Sequence, residues 1–457
     1  MIIPPSSFSR RDWLRTASAG FGYMAFAGLA AQSAARAIAG PLSVKSPHFP
    51  ARAKRIIFLC MRGGPSHMET FDPKPALTAA HGQQGRIGKS KLLGSRWGFQ
   101  KHGQSGTEIV ELLPEIGRHA DKLCVLRGMH TDNENHPQAL EQLHTGSFQF
   151  IRPSMGAWAV YGLGTENQSL PGFISINPLT ALGGLRYYSS SFLPAACSAT
   201  LLGNASVPPK ELKLGDLTNP RVTAASQRAQ LDLLQGMNRD LLAKTADPRV
   251  EGLIESYELA FRMQGELPGV MNLDGENAKT LELYGADKSE TQTFGRQCLL
   301  ARRFAEAGVR FIEITHTDWD HHGFLTGGMT KNCRQIDKPI AGLLQDLDQR
   351  GLLADTLVLW GGEFGRTPED PTTDGRGHNN KGYCMWMAGG GVKGGHIHGA
   401  TDDLGYEAVD GKVHIHDLHA TMLHLLGLDH EKLTYRHGGR DFRLTDVKGN
   451  VVREILG

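Results

Sequence analysis

The chain has 457 residues, of which 40% are hydrophobic and 21% are charged, and its formal net charge is +2. This ordinary globular composition can form a large core, and it gives no electrostatic basis for binding nucleic acid. No two of the six cysteines form a CxxC pair. Cys60, Cys124 and Cys384 lie in apolar runs and are expected to be small core residues, although an even count leaves disulfides open.

Residues 1–40 are predicted to be a twin-arginine signal peptide. Arg10 and Arg11 stand in the string Ser-Arg-Arg-Asp-Trp-Leu-Arg, and an apolar run from Ala17 to Ala31 and small-x-small cleavage sites follow. The apolar run is too short and too rich in Gly and Ala for a stable membrane span, and no later stretch qualifies. The sequence therefore predicts a periplasmic or secreted protein with a single domain over 41–457.

Strand and helix patterns alternate along this domain, which predicts an α/β fold with a mostly parallel sheet. Apolar runs predict strands at 54–61, 123–126, 173–176, 309–315, 356–360 and 383–387. Helical patterns cover 111–120, a segment ending at Gly146, 151–170, 224–263, 294–307, 334–350 and 417–426. An irregular insertion near 180–222 is predicted to be a long loop beside the mouth of the site, because loops of this length are usually functional or disordered.

Polar side chains follow two of the predicted strands at their carboxyl ends. Asp320 and His322 come after strand 309–315, Glu363 comes after strand 356–360, and His378 lies in a Gly-rich loop just beyond. Because the carboxyl ends of parallel strands face a common crevice, these side chains are expected to converge on a metal ion. Further candidate ligands are Asp318, Glu69 and Asp72.

The first strand ends in the turn Arg62-Gly63-Gly64-Pro65, whose backbone N–H groups could face an anion. Ser66, Glu69 and Asp72 follow this turn directly. The alternative for this stretch is a polar turn capped by Asp72. Ser66 is a candidate nucleophile to which the sequence assigns no base.

Four motifs in the chain are similar to those of a known family. They are Gly63-Gly64-Pro65-Ser66-His67, Thr70-Phe71-Asp72-Pro73-Lys74-Pro75, Trp319-Asp320-His321-His322-Gly323 and Gly362-Glu363-Phe364-Gly365-Arg366-Thr367-Pro368. Over residues 54–455 the chain resembles the alkaline phosphatase and sulfatase superfamily, and within it an uncharacterised bacterial branch of unknown function exported by twin-arginine signals. The resemblance implies a three-layer sandwich with a mostly parallel central sheet and helices on both faces.

The resemblance also implies roles for particular residues. His136 lies near the start of a helix, at the position of the family's nucleophile, where this chain has no Cys, Ser or Thr. Lys381 resembles part of a downstream His/Lys pair. The candidate catalytic residues are therefore His136, Ser66 and Lys381, and the candidate groups for holding an anionic substrate are Arg62 and Arg366.

Two functions remain open at this stage. The first is an exported metal-dependent hydrolase of phosphate or sulfate esters, acting on a small anionic ester or on a sulfated or phosphorylated saccharide. Its mixed carboxylate and imidazole ligands favour zinc or manganese, with calcium as the alternative. The second is a non-catalytic ligand- or glycan-binding protein on a degenerate hydrolase fold, which the missing nucleophile favours.

Overall fold

The computed structural model describes residues 40–180, 183–203, 221–245, 247–370, 372 and 374–457. The predicted signal peptide lies outside these residues except for Gly40, and so do parts of the predicted insertion near 180–222. Within the described helices, no segment is both long and apolar enough to cross a membrane. All six cysteines are buried and unpaired.

A nine-stranded sheet forms the centre of the described chain. Its strands are β1 Arg55–Met61, β2 Leu123–His130, β3 Phe173–Ile176, β4 Thr200–Leu202, β5 Phe311–His316, β6 Thr356–Gly361, β7 Tyr383–Ala388, β8 His396–His398 and β9 Val413–His414. Their spatial order is β8-β2-β7-β6-β1-β5-β3-β4, and β9 also pairs with β2. Strand β7 runs antiparallel to both neighbours, whereas the other recorded pairs in this sheet are parallel. The predicted mostly parallel α/β sheet is confirmed.

Ten α-helices accompany the sheet in the described ranges. They are α1 Pro75–Ala79, α2 Pro114–Gly117, α3 His136–Thr145, α4 Met155–Leu163, α5 Ala224–Thr245, α6 Pro248–Met271, α7 Ala278–Leu283, α8 Gln292–Glu306, α9 Leu325–Gln349 and α10 Ile415–Leu425. Five short two-stranded antiparallel sheets also occur in the described ranges: Lys91–Leu92 with Glu369–Asp370, Phe99–His102 with Thr107–Val110, Gly365–Arg366 with His378–Asn379, Ala400–Thr401 with Ala408–Asp410, and Tyr435–His437 with Arg440–Phe442.

Side chains of β5 show that helices cover both faces of the sheet. The ring of His316 lies 5.1 Å from that of Phe294 on α8, and its Nε2 is 3.2 Å from Gln335 on α9. Glu313, three residues earlier, contacts His144 on α3. Because alternate residues of a strand point to opposite faces, α8 and α9 lie on one face and α3 on the other. The predicted three-layer arrangement is confirmed.

The C-terminal end of helix α3 is fixed by contacts with α10, whereas its N-terminal end lies near the predicted site residues. It ends at Gly146, whose φ of 72° is readily adopted by glycine. Two histidines of α10 contact its last carbonyl groups: His416 Nε2 is 2.7 Å from Gly146 O, and His419 Nε2 is 2.7 Å from Leu143 O. These contacts satisfy acceptors that a helix end otherwise leaves open, and they hold α3 so that His136 stands at its other end.

Several helix boundaries differ from the sequence-based predictions. The predicted helices 111–120 and 151–170 are shorter, spanning Pro114–Gly117 and Met155–Leu163. The predicted helix 224–263 is two helices, because Asp247 caps a new helix whose first residue is Pro248. Helix α9 begins nine residues before the predicted 334. Its N-cap is Phe324, in a left-handed conformation with φ of 56°, and two glycines occupy its first turn. Neither feature is a usual start signal.

Candidate functional site

Asp320, which follows β5, lies at the centre of a cluster of three histidines and one arginine. Its Oδ2 is 3.2 Å from His136 Nε2, and its Oδ1 is 3.1 Å from His322 Nε2 and 3.4 Å from His378 Nε2. Arg366 lies on another side, 2.6 Å from Oδ1. The structure therefore brings together side chains from four separate segments at the carboxyl edge of the sheet.

The donor atoms of this cluster fit a divalent cation. His136, Asp320 and His378 each offer one ligand atom, and these atoms lie within 4.8 Å of one another. His136 Nε2 is buried and makes no well-aligned hydrogen bond within the described residues, although it lies 3.2 Å from Asp320 Oδ2. Two imidazole nitrogens and one carboxylate oxygen are a donor set typical of zinc or manganese. The side chain of Asp320 is 43% exposed, so one side of the cluster is open to solvent.

Glu363 contacts His136, one of the three candidate metal ligands, and is not itself a member of that group. Its carboxylate is fully buried, and its Oε1 lies 2.6 Å from His136 Nδ1. The backbone N–H of Gly63 donates to both carboxylate oxygens, at 3.0 and 3.2 Å. A carboxylate on one ring nitrogen fixes the tautomer and orientation of a histidine whose other nitrogen binds a metal. Glu363, predicted as a ligand, thus lies where it can orient His136.

The same carboxylates control the charge of His136. Burial by itself lowers the pKa of His136, but its contacts with Asp320 and Glu363 outweigh burial and raise that pKa to about 9. For Asp320, burial raises the pKa, but His136, His378 and Arg366 outweigh it and hold the pKa well below its usual range. A cation held by His136 Nε2 would compete with this proton, so metal binding would release a proton here.

Arg366, predicted to hold substrate, donates its hydrogen bonds to other groups of the protein. Its side chain is 1% exposed, and its Nε donates to Gly64 O at 2.9 Å. It also donates to Gly63 O and to Arg376 O. Gly63 has a φ of 115°, and a Cβ at this position would lie 2.6 Å from the backbone nitrogen of Asp320. Arg366 and Gly63 therefore position Asp320 against the turn that follows β1.

The remaining candidates differ in their access to the site. Arg62 is half-buried, and its Nε has no hydrogen-bond partner in the part of the chain that is described. Lys381 is exposed, whereas Ser66 is buried. Asp318 is exposed and forms an ion pair with Lys331 at 3.3 Å. The side chain of Arg62 is thus partly accessible, but its unpartnered Nε is buried.

Glu69 and Asp72 have structural partners. Both oxygens of Glu69 accept from Arg376, at 2.5 and 2.9 Å, and both side chains are buried. Asp72 lies 3.0 Å from Lys74 Nζ and accepts from Thr401 Oγ1 at 2.6 Å. Neither carboxylate belongs to the described group whose ligand atoms converge with Asp320.

Two residues with contacts at this site were not predicted from the sequence to be site residues. Phe364 packs against two of the histidines, with its ring centroid 4.7 Å from that of His136 and 4.6 Å from that of His378. Arg376 holds Glu69 and, through its carbonyl, Arg366. Phe364 and Arg376 flank the two-stranded sheet that pairs Arg366 with His378. Its strands have only two residues each, which is too short to be predicted from the sequence pattern.

Comparison with known proteins identifies the family. The chain belongs to the family described as Protein of unknown function (DUF1501), which it matches over residues 53–456. No curated protein matches the chain. The predicted membership of a domain-of-unknown-function family is confirmed.

Solved structures similar to the chain include sulfatases and alkaline phosphatase relatives. PsFucS1 sulfatase from Pseudoalteromonas sp. is 12% identical over 89% of this chain and 72% of that one, with a TM-score of 0.41. The C-terminal periplasmic domain of EcEptC from Escherichia coli, in complex with Zn, is 9% identical over 85% of this chain and 87% of that one, with a TM-score of 0.37. A protein in the alkaline phosphatase superfamily from Vibrio parahaemolyticus is 9% identical over 85% and 70%, with a TM-score of 0.35.

Proposed function

We propose that this protein is an exported, sulfatase-like, metal-dependent hydrolase of phosphate or sulfate esters. One observation carries the proposal: His136 Nε2, a carboxylate oxygen of Asp320 and a ring nitrogen of His378 lie within reach of a single cation. They do so at the carboxyl edge of a mostly parallel sheet, where active sites of α/β proteins commonly lie.

His136, Asp320 and His378 would hold the ion, and Glu363 would orient His136. A bound divalent cation would neutralise charge that develops on the oxygens of the transferred phosphoryl or sulfuryl group. The nitrogen ligands favour zinc or manganese, because calcium binds oxygen ligands.

Other side chains of the cluster serve the substrate and the proton. His322 is 54% exposed and lies 3.1 Å from Asp320, so its imidazole can accept a proton from an attacking water or return one to the leaving group. Half-buried Arg62, in the turn that follows β1, can add positive charge for an anionic ester. Exposed Lys381 can add positive charge for a larger anionic substrate such as a sulfated or phosphorylated saccharide.

The alternative is a binding protein without turnover. His136 occupies the start of α3, where the family resemblance has its nucleophile, and its Nδ1 contacts Glu363. The first turn of α3 has no Ser, Thr or Cys, and Ser66 is buried. These observations are against a covalent step and leave binding without chemistry as the second candidate.

Turnover of a panel of phosphate and sulfate esters separates the two functions. Protein loaded with zinc, manganese or calcium is compared with Asp320→Asn and His378→Ala, and Asp318→Asn serves as the matched control because it is a nearby exposed aspartate. The hydrolase proposal expects turnover that falls by about 100-fold or more in the first two variants and persists in the control. Turnover unchanged by Asp320→Asn would point to a contaminant, whereas binding of esters without hydrolysis would support the alternative.

Export is tested separately from activity. Replacing Arg10 and Arg11 by Lys pairs should retain the protein in the cytoplasm if the twin-arginine pattern directs it to the periplasm or beyond. An unchanged distribution between cell fractions would contradict export by this route.

A further inference from the structure

A second group of metal-ligating side chains lies inside the fold, apart from the Asp320 cluster. Cys60 comes from β1, Glu313 from β5 and His144 from α3. Their relative exposures are 1%, 0% and 1%. One ligand atom from each residue lies within 4.8 Å of the other two. The proposed hydrolase does not use any of these residues.

The register of two neighbouring strands brings the thiol and the carboxylate to the same face. In the parallel pair β1 and β5, Phe58 is opposite Glu313 and Cys60 is opposite Thr315. Cys60 and Glu313 are therefore diagonal neighbours on one face of the sheet. Helix α3 packs on that face and supplies His144, whose Nε2 is 3.0 Å from Glu313 Oε1.

The imidazole of His144 is arranged as in a metal ligand. Its Nδ1 lies 2.8 Å from Leu140 O, and a carbonyl oxygen can only accept, so Nδ1 carries a hydrogen. In the neutral ring, Nε2 then presents its lone pair towards Glu313. Histidines that bind metals commonly donate their other ring N–H to a backbone carbonyl in this way.

The carboxylate of Glu313 is incompletely satisfied. It is fully buried, and its Oε2 has no hydrogen-bond partner in the described residues. Ser175, opposite Glu313 on β3, likewise has an unpartnered buried hydroxyl. A protonated His144 would pair with one oxygen of Glu313 but would leave Oε2 unmatched and Cys60 without a role. A buried charge that lacks partners is costly, and a cation would satisfy all three residues at once.

We propose that Cys60, His144 and Glu313 form a buried zinc site, in which the second oxygen of Glu313 supplies the fourth donor atom. Mixed sulfur, nitrogen and oxygen donors suit zinc, whereas calcium and magnesium take oxygen ligands. Cys60 binds as the thiolate and releases its proton when the metal enters. The ion ties α3 to β1 and β5, and so holds the helix that begins with His136.

Cobalt replacement tests this site independently of the proposed hydrolase, because the Asp320 cluster contains no cysteine. Protein is produced in cobalt-supplemented medium so that the ion enters during folding, and the near-ultraviolet thiolate-to-cobalt charge-transfer band is recorded. The band should be present in wild type and in His136→Ala, and absent in Cys60→Ser. Cys384→Ser is the matched control, since Cys384 is a buried strand cysteine outside the cluster, and it should retain the band.

A measurement on unmutated protein covers the case in which Cys60→Ser does not fold. X-ray absorption at the zinc edge of the zinc-loaded wild type should show a sulfur neighbour at about 2.3 Å. Absence of both the cobalt band and the zinc–sulfur distance would overturn the proposal and leave His144 and Glu313 as a buried ion pair. Loss of the band in His136→Ala or in Cys384→Ser, with both variants folded, would also overturn the assignment.

Discussion

Glu363→Gln tests whether Glu363 acts through His136 or binds the ion directly. The substitution keeps the shape of the side chain but replaces one acceptor oxygen by a donor and removes the charge. Glu363 now accepts from His136 Nδ1 at 2.6 Å and from Gly63 N at 3.0 and 3.2 Å. In the variant the amide oxygen can still accept from His136 Nδ1, but the NH2 group would then face Gly63 N, and the negative charge beside the ring would be lost. The orientation of His136 would therefore be held less firmly.

Loss of a carboxylate that orients a ligand typically weakens metal binding about 10- to 100-fold. This range corresponds to about 1.4 to 2.7 kcal/mol of binding free energy. We expect a change of this size for zinc, measured by competition with a chromophoric chelator at fixed pH. Asp320→Asn removes a proposed ligand itself and should weaken binding more than Glu363→Gln does.

Glu69→Gln is the matched control, because Glu69 is also a buried carboxylate but is paired with Arg376. It should lower the free energy of unfolding and leave zinc affinity of the folded protein close to wild type. Wild-type affinity in Glu363→Gln would refute the orienting role. A loss of zinc affinity equal to that of Asp320→Asn would indicate that Glu363 binds the ion directly.

Three further predictions concern the site and its supporting fold. The third involves Asp337 of α9, which accepts from the backbone N–H groups of Glu115 and Ile116 at the start of α2. Gly63→Ala should strain a backbone with φ of 115° and displace Asp320, so both the melting temperature and zinc affinity should fall, and wild-type values of both would contradict the close packing. Arg376→Met should cost about 3 to 5 kcal/mol in chemical denaturation, because it leaves Glu69 buried and unpaired; a loss below about 1 kcal/mol would argue against this. Burial raises the pKa of Asp337 from 3.8 to about 6, so its proton binds more tightly in the folded chain. The resulting stability is fully present below about pH 4 and is lost as the pH rises through about 6. The free energy of unfolding of wild type, relative to that of Asp337→Asn, should therefore fall by roughly 3 kcal/mol over this interval. A difference that does not change with pH would refute the prediction.

Many of the strands and helices can be predicted from local sequence patterns. The strand patterns that predict β1, β5 and β6 are runs of apolar residues, and all but the last residue of β5 are buried in the fold. A parallel strand covered on both faces needs such a run, so sequence and burial agree. The start of α9 was missed because Phe324 is not a usual capping residue. The antiparallel direction of β7 could not be read from its composition, since buried strands of either direction look alike.

Site chemistry depends more heavily on the fold. Asp320 and His322 follow a strand, and this position alone predicts that they lie at the sheet edge. The pairing of Glu363 with His136 joins residues 227 positions apart, and that of Glu69 with Arg376 joins residues 307 positions apart. Carboxylates in similar turns therefore acquire different partners, and no local pattern separates an orienting group from a structural ion pair.

The sequence by itself determined the family, the order of strands and helices along the chain, and the group of carboxylates and imidazoles gathered near strand ends. It did so because burial and hydrophobic periodicity are properties of each segment. Tertiary structure alone decided that ligand atoms of His136, Asp320 and His378 lie within 4.8 Å of one another. The same is true of Cys60, His144 and Glu313. Those distances depend on strand order, register and the anchoring of α3, which are set by packing between segments far apart in the chain.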